Sequence, residues 1–341
     1  MKIRGIQDKF WLVISLFLFV LIVGFFLSFL VGRYPIAPKT VFDIVVSNFY
    51  ETQHYWDQNI ETVVMEIRLP RVLLAILVGG ALSLSGASYQ ALFKNPMVSP
   101  DILGVSSGAG FGAAVAMLYR WQWWQIQAAA LVFGLIAVGM ACAIAYFYAR
   151  QEITVLILAG LVTSSLFQAL LAIVKTLADT DNVLPSITFW LMGGLGRASN
   201  SDVLLMLPAS SISFALLFWF RNHIDVLSAG EDEARTMGIN VPFVKSIVIL
   251  CSTMMTVAAV SISGIIGWVG LIIPHIARLM VGAKYSRIAS SSFLLGGVFL
   301  LLIDNSIRHS GGVELPLGVL CTLVGTPIFA FQLSQARRSW M

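Results

Sequence analysis

The sequence predicts an all-α, polytopic membrane protein: a single domain, 1–341, of about ten transmembrane helices with an inverted internal repeat. Three observations predict it. Hydrophobic residues make up 58% of the 341 positions and charged ones only 11%, against about 45–50% and about 25% in soluble domains. The apolar residues gather into uncharged runs of about the length that crosses a bilayer as a helix. A short motif recurs 178 positions further on, with its trailing proline and glycine at unchanged offsets. A soluble fold of this size leaves roughly a quarter of its unfolded surface exposed and could not hide so much apolar area. A soluble enzyme, a disordered chain and a secreted disulfide scaffold are excluded.

The elements follow in order. Lys2, Arg4 and Lys9 precede an uncharged run of 23 residues, 10–32. It is too long for a signal-peptide core and lacks a small-x-small cleavage site, so it is span one. Spans two to five are the runs 72–93, 102–119, 121–149 and 153–174. A helical stub at about 185–192 is too short to cross. Span six is 203–220. The run 246–277 is interrupted by Ser261-Ile-Ser-Gly264, Gly267, Gly270 and Pro274. Such residues break a helix or line a close contact. The run therefore divides into span seven, about 243–262, and span eight, about 265–282. Spans nine and ten are 288–303 and 315–336. Cys142, Cys251 and Cys321 are scattered through apolar stretches without CxxC spacing, as expected of packed thiols rather than a disulfide framework.

Lysine and arginine set the orientation. With both termini cytoplasmic, the inner side holds 13 of them: Lys2, Arg4, Lys9, Lys94, Arg150, Arg221, Arg235, Lys245, Arg278, Lys284, Arg287, Arg337 and Arg338. The outer side holds seven: Arg33, Lys39, Arg68, Arg71, Arg120, Arg197 and Arg308. Lipid-facing topology thus absorbs most of the net charge of +4, which is too small and too dispersed for nucleic acid. Tyr119, Trp121, Trp123 and Trp124 fit an aromatic belt at the outer interface.

Ala81-Leu-Ser-Leu-Ser-Gly86 lies over Ala259-Val-Ser-Ile-Ser-Gly264, followed by Pro96 over Pro274 and Gly104 over Gly282. The copies are five spans apart and face opposite ways across the membrane. The repeat halves are roughly 1–180 and 200–341. Inverted repeats are a transporter architecture. Gly104, Gly108 and Gly112 form a stripe along which another helix backbone can approach. Gly108-Ala-Gly110-Phe-Gly112 lacks the preceding strand of a nucleotide-binding loop.

The span centres are almost free of charge, whereas ion-coupled carriers keep ionisable groups there. Asp304 lies near the outer end of span nine, and His275 reads as a satisfied hydrogen-bonder. There is no GxxxxGK[ST], HExxH or Cys/His cluster. The chain is therefore expected to have no catalytic site, no metal site and no cofactor of its own. An intramembrane enzyme lacks a constellation, and an ion-gradient carrier is the rival from another class. If the chain pumps, energy comes from a partner.

The charged segment Gly230-Glu-Asp-Glu-Ala-Arg-Thr-Met-Gly238 falls in the cytoplasmic loop between spans six and seven, at about 226–240. A short helix stopped by Gly238 is predicted. Glu233-Ala234 followed by Gly238 resembles the coupling loop of ABC importer permeases. Further segments resemble the FecCD family of vitamin B12, iron-siderophore and haem permeases. They are Ile67-Arg-Leu-Pro-Arg71, Gly86 to Pro96, Pro100 to Gly110, Phe189 to Gly194, Gly264 to Arg278, Glu314 to Gly318 and Gly325 to Phe329. Trp268 stands where the family usually has phenylalanine.

The resemblance implies a type II ABC importer permease in the bacterial inner membrane. It implies a homodimer with two cytoplasmic ATPase subunits, which use ATP and Mg, and an extracytoplasmic binding protein. Glu231, Asp232, Glu233, Ala234, Arg235, Thr236, Met237 and Gly238 would dock the ATPase. Arg68, Arg71 and, with a looser match, Arg308 would pair with acidic residues of the binding protein; headgroup anchoring is the alternative. On span five, Ser164 and Gln168 share a face and would either line the pathway or pack against another helix. The implied cargo is a metal chelate, with an oxyanion such as molybdate or tungstate as the alternative.

Overall fold

The computed structural model describes residues 2–32, 34–47, 50, 55–148, 153–309 and 315–339, with side chains between Phe10 and Gln332. Arg33, Arg150 and Glu314, and the side chains of Lys2, Arg4, Lys9, Arg337 and Arg338, lie outside that range. Among the described residues the chain is helical, without strands. It begins with α1 (Lys2–Ser28), α2 (Pro38–Ser47) and α3 (Gln58–Thr62). The last runs through a π-helical turn, Val63–Arg68, into α4 (Leu69–Leu92). A 3₁₀ turn, Pro100–Leu103, leads to α5 (Val105–Leu118), α6 (Trp123–Tyr148), α7 (Ile153–Leu177) and α8 (Val183–Leu191). Then come α9 (Asn200–Trp219), α10 (Arg221–Ala229), α11 (Glu231–Thr236) and α12 (Val241–Ser263). The chain closes with α13 (Val269–Val281), α14 (Tyr285–His309) and α15 (Leu317–Ser339).

Among the described residues seven stretches are long and apolar enough to cross a membrane: α1, the continuous Gln58–Leu92, α6, α7, α9, α12 and α14. Three more apolar helices are shorter: α5, α13 and Leu317–Gln332 within α15. Together they are the ten expected elements in the expected order. At about 1.5 Å per residue, α5 and α13 (14 and 13 residues) span only about 20 Å of a core about 30 Å thick. The uncharged runs overstated them, because each run includes irregular backbone. Before α5 that backbone is the 3₁₀ turn; before α13 it is the non-helical stretch from Gly264 to Trp268. Non-helical backbone at membrane depth is tolerated where protein covers it, and Leu103, Gly264 and Ile266 are buried.

α4 is the central helix, with 83% of its apolar window buried, against 11% for α1 at the periphery. It packs on α12, α13 and α14, and small residues set the spacing. A Cβ on Gly79 would lie 2.3 Å from the Gly296 carbonyl oxygen of α14, and one on Gly86 only 1.8 Å from that of Gly270 on α13. Side-chain hydrogen bonds cross the same seams: Ser85 Oγ to Thr256 Oγ1 at 2.7 Å, Ser88 Oγ to Tyr285 Oη at 2.8 Å and Tyr89 Oη to Thr253 Oγ1 at 2.9 Å. With lipid as apolar as leucine, such packing and polar bonds, rather than hydrophobic exclusion, hold helices together. The glycine stripe acts as expected. Gly108 and Gly112 meet the Phe133 and Ala129 carbonyl oxygens of α6, each 2.5 Å from where a Cβ would stand.

The repeated motif does not keep one conformation. Gly86 lies inside α4, whereas Gly264, at φ 67°, ends α12. Gly104 precedes α5 and Gly282 follows α13, with φ of 86° and 88°.

Candidate functional site

The charged segment forms the short helix α11, and with α10 just before it connects α9 to α12. α10 buries Ile224 and Leu227. Gly230 is extended and breaks the two apart. α11 ends as predicted: Gly238 takes φ 78°, its N–H donates to the Arg235 carbonyl at 3.0 Å, and the Ile239 N–H donates to the Ala234 carbonyl at 3.0 Å. The eight predicted residues divide by direction. Ala234 is buried, and half-buried Glu231 accepts from Lys245 Nζ of α12 at 2.7 Å. Asp232, Glu233, Arg235, Thr236, Met237 and Gly238 are exposed. The inward pair fixes the segment to the bundle, and the outward set forms a surface with two carboxylates and a protruding methionine. Asp225 of α10 accepts from the Ser286 N–H at the start of α14 at 3.3 Å. Together α10 and α11 are thus bonded to two long helices.

α4 has 24 residues, so its ends lie about 36 Å apart. Near its C-terminal end, Lys94 and Ser228 line one cleft, which puts α10 and α11 there. At the other end sits an arginine cluster around Asp304, whose side chain is 0% exposed. Arg71 Nε donates to Asp304 Oδ1 and Oδ2 at 2.9 and 3.1 Å, and its Nη2 lies 2.9 Å from Oδ1. Arg308 Nε lies 3.1 Å from Oδ2, and Nη1 donates to the Val31 carbonyl at 3.3 Å. Arg68, 4% exposed, donates to the carbonyls of Phe29 and Tyr34. The three arginines expected at the binding-protein face or the headgroups are turned inward in this chain, and they tie α1, α4 and α14 together. The reason is Asp304, one helical turn before Arg308 but 233 positions from Arg71. No local spacing reveals that pairing.

Beside Arg71 opens a cavity of about 910 Å³. Arg120, from the turn between α5 and α6, and Arg197, from the turn between α8 and α9, also line it, as do Trp123 and Trp190. Its lining includes no aspartate or glutamate among the described residues. Arg197 stacks on Trp123, with the guanidinium carbon 4.7 Å from the ring centre. Trp123 is therefore turned into the protein and not into a lipid belt, whereas Trp121 and Trp124 are exposed as a belt requires. Near Arg120, the Asp179 carboxylate is held below its ordinary range, chiefly by the Asp181 backbone N–H and the Asn182 side chain, with a smaller contribution from Arg120.

On α7, Gln168 is exposed, with Nε2 3.4 Å from Ser107 Oγ, and Ser164 is half-buried where Oγ crowds Gly104. Both meet the start of α5, three positions apart, and they differ in exposure. Around them Leu158, Leu161, Val162 and Leu166 are exposed.

Comparison with known proteins matches residues 20–335 to the FecCD transport family. The molybdate import permease of Haemophilus influenzae is 32% identical over 94% of this chain and 95% of its own length. The cobalamin import permease of Halobacterium salinarum is 36% identical over 80% and 73%. A solved structure described as an inward-facing conformation of a metal-chelate type ABC transporter is 31% identical, covers 94% of this chain and superposes with a TM-score of 0.84. The chain belongs to the FecCD family of ABC importer permeases.

Proposed function

We propose that this chain, as a FecCD permease, forms a homodimer in the bacterial inner membrane and imports a metal chelate with ATP hydrolysed by a partner. Two cytoplasmic ATPase subunits dock on the exposed face of α11, and an extracytoplasmic binding protein delivers the ligand. The excess of lysine and arginine at the α11 end supports cytoplasmic termini. The observation that carries the reading is the attachment of α10 and α11. Glu231–Lys245 joins them to α12 and Asp225–Ser286 joins them to α14. A short helix bonded at both flanks moves as a rigid body and passes ATPase closure to the spans.

The same architecture serving an oxyanion is the second reading, favoured by the extent of the molybdate-permease match. The test is uptake into proteoliposomes containing the ATPase, with the binding protein outside. Glu233→Lys reverses an exposed charge and leaves the Glu231–Lys245 bond intact. Hydrolysis should persist while uptake falls by about tenfold or more, the scale of one lost charge-assisted contact. Wild-type uptake by that variant would remove α11 from the coupling path, and uptake without any ATPase would establish the ion-gradient rival.

A further inference from the structure

The cavity at the Arg71 end is lined by arginines, indoles and apolar surface, with no carboxylate among the described residues. Arg120 and Arg197 are exposed on its walls, and among the described residues neither has a carboxylate within ion-pair distance. Arg71 is paired, but its positive charge is not cancelled. Asp304 serves both Arg71 and Arg308, while Arg68 binds only carbonyls. The neighbouring cluster thus holds three guanidinium groups against one carboxylate. Among the described residues the indole N–H groups of Trp123 and Trp190, two of the lining residues, have no hydrogen-bond partner, and both nitrogens are buried within the wall. Trp190 is 7% exposed, and a buried donor left unpaired costs about 1–3 kcal/mol. The guanidinium groups of Arg120 and Arg197 are open to an acceptor in the cavity, and the excess of arginine over carboxylate at this end disfavours cations. Guanidinium groups recognise planar or tetrahedral oxygen anions bidentately. The volume lies within the usual range for small-molecule sites.

We infer that this cavity is the receiving site for the negatively charged oxygens of the transported ligand, whether a bare oxyanion or the anionic rim of a metal chelate. It deepens the importer reading, on which only the word "transported" rests. Arg120 and Arg197 hold the anion from opposite turns, and Arg71 supplies the field behind them. Stacking on Trp123 holds the Arg197 guanidinium in place.

Equilibrium dialysis of the full-length chain in neutral detergent tests it, with sodium tungstate and ferric citrate as separate probes. Saturable binding of either anion is expected, and which one binds tells oxyanion from chelate. Arg120→Gln with Arg197→Gln should weaken binding about tenfold or more. Trp123→Phe should weaken it a few-fold, and Lys284→Gln at the far end should not change it. Circular dichroism and size-exclusion profiles matching the wild type exclude misfolding of the glutamine variants. If neither anion binds at millimolar concentration, or the glutamine variants bind as well as the wild type, the inference is wrong. It is also overturned if phosphatidylglycerol in the micelles binds through Arg120 and Arg197 while neither probe does, because the site is then a lipid headgroup site. Net-neutral cyanocobalamin binding with the same arginine dependence would overturn it too. Dialysis needs no ATPase. Binding without ATP-driven uptake would refute the importer reading alone, and uptake without binding would refute the cavity alone.

Discussion

Replacing Asp304 with alanine should destabilise the protein more than any other single change at the Arg71 end. Its side chain is fully buried, makes two hydrogen bonds with Arg71 Nε, and is within 3.1 Å of Arg308 Nε. Without it, Arg71 and Arg308 stay buried with no counter-charge beside a third arginine. Removing one partner of a buried ion pair costs about 3–5 kcal/mol, because the other charge is stranded. With roughly 2.1 cal/mol/K of unfolding entropy per residue over 341 residues, that is a fall in Tm of about 4–7 °C. Asp304→Asn keeps the shape and one acceptor and should lose about half as much. The assay is thermal unfolding in detergent, completed by a cycle with Arg71→Met. The double variant should recover part of the loss, since replacing both partners by apolar groups is often neutral. A fall of less than about 1 °C for Asp304→Ala, against the several degrees expected, would refute the inward-facing cluster. It would return the arginines to the rim, where removing their partner costs little.

Two further outcomes follow from the packing. Gly86→Ala places a methyl 1.8 Å from the Gly270 carbonyl oxygen, so α4 and α13 must part; thermal unfolding should show a loss of about 1–3 kcal/mol or more. Gly139→Ala, where an added Cβ meets nothing within 4 Å, should be neutral or gain up to about 1 kcal/mol from helix propensity. Equal effects at the two sites would mean the backbones do not approach as described. For the pathway, Ser164→Cys and Gln168→Cys should differ in labelling by a water-soluble thiol reagent. The exposed position 168 should react faster, and full protection of both in every transport state would leave α7 a packing helix only.

Much of the fold was legible because bilayer length and charge are linear properties of a sequence. Ten apolar helices, the stub at Val183–Leu191 and the stop at Gly238 fall where runs and breakers put them. The segment from Tyr34 to Thr62 was not legible. α2 and α3 are short and mixed in polarity; Val41 and Ile44 of α2 pack with Phe29 and Val64, and Ile60 of α3 lies against that cluster, contacts that no local period announces. Helix ends within uncharged runs were also hidden, since neither Gly264 nor the 3₁₀ turn after Pro100 adds a charge. At the candidate site, residue types were visible but directions were not. Arg120 and Arg197 read as two outer cations among seven, and Trp123 as one more belt aromatic. What joins them is the meeting of the α5–α6 and α8–α9 turns over one cavity. For a cavity of this kind the available signal is negative: several arginines at one end with no acidic residue in the same turns as Arg120 and Arg197.

The two functional ends are joined by one helix, and its surroundings decide how a signal can pass. α4 bears Arg71 at the cavity and reaches the cleft shared with α10 at its other end. Between them its glycines touch backbone on α13 and α14, and Ser85, Ser88 and Tyr89 bond to α12 and α14. A seam spaced by glycine has no side-chain cushion to deform, and close-packed interiors transmit strain and do not absorb it. α4, α12, α13 and α14 must therefore move together. The lightly buried α7 and α9 (28% of each window) are the elements left to move against them. Because Glu231 and Asp225 attach α11 and α10 to α12 and α14, a displacement of α11 by the proposed ATPase partner would enter this rigid group directly. It reaches the Arg71 end as a tilt of the whole group, with no need for a chain of local rearrangements.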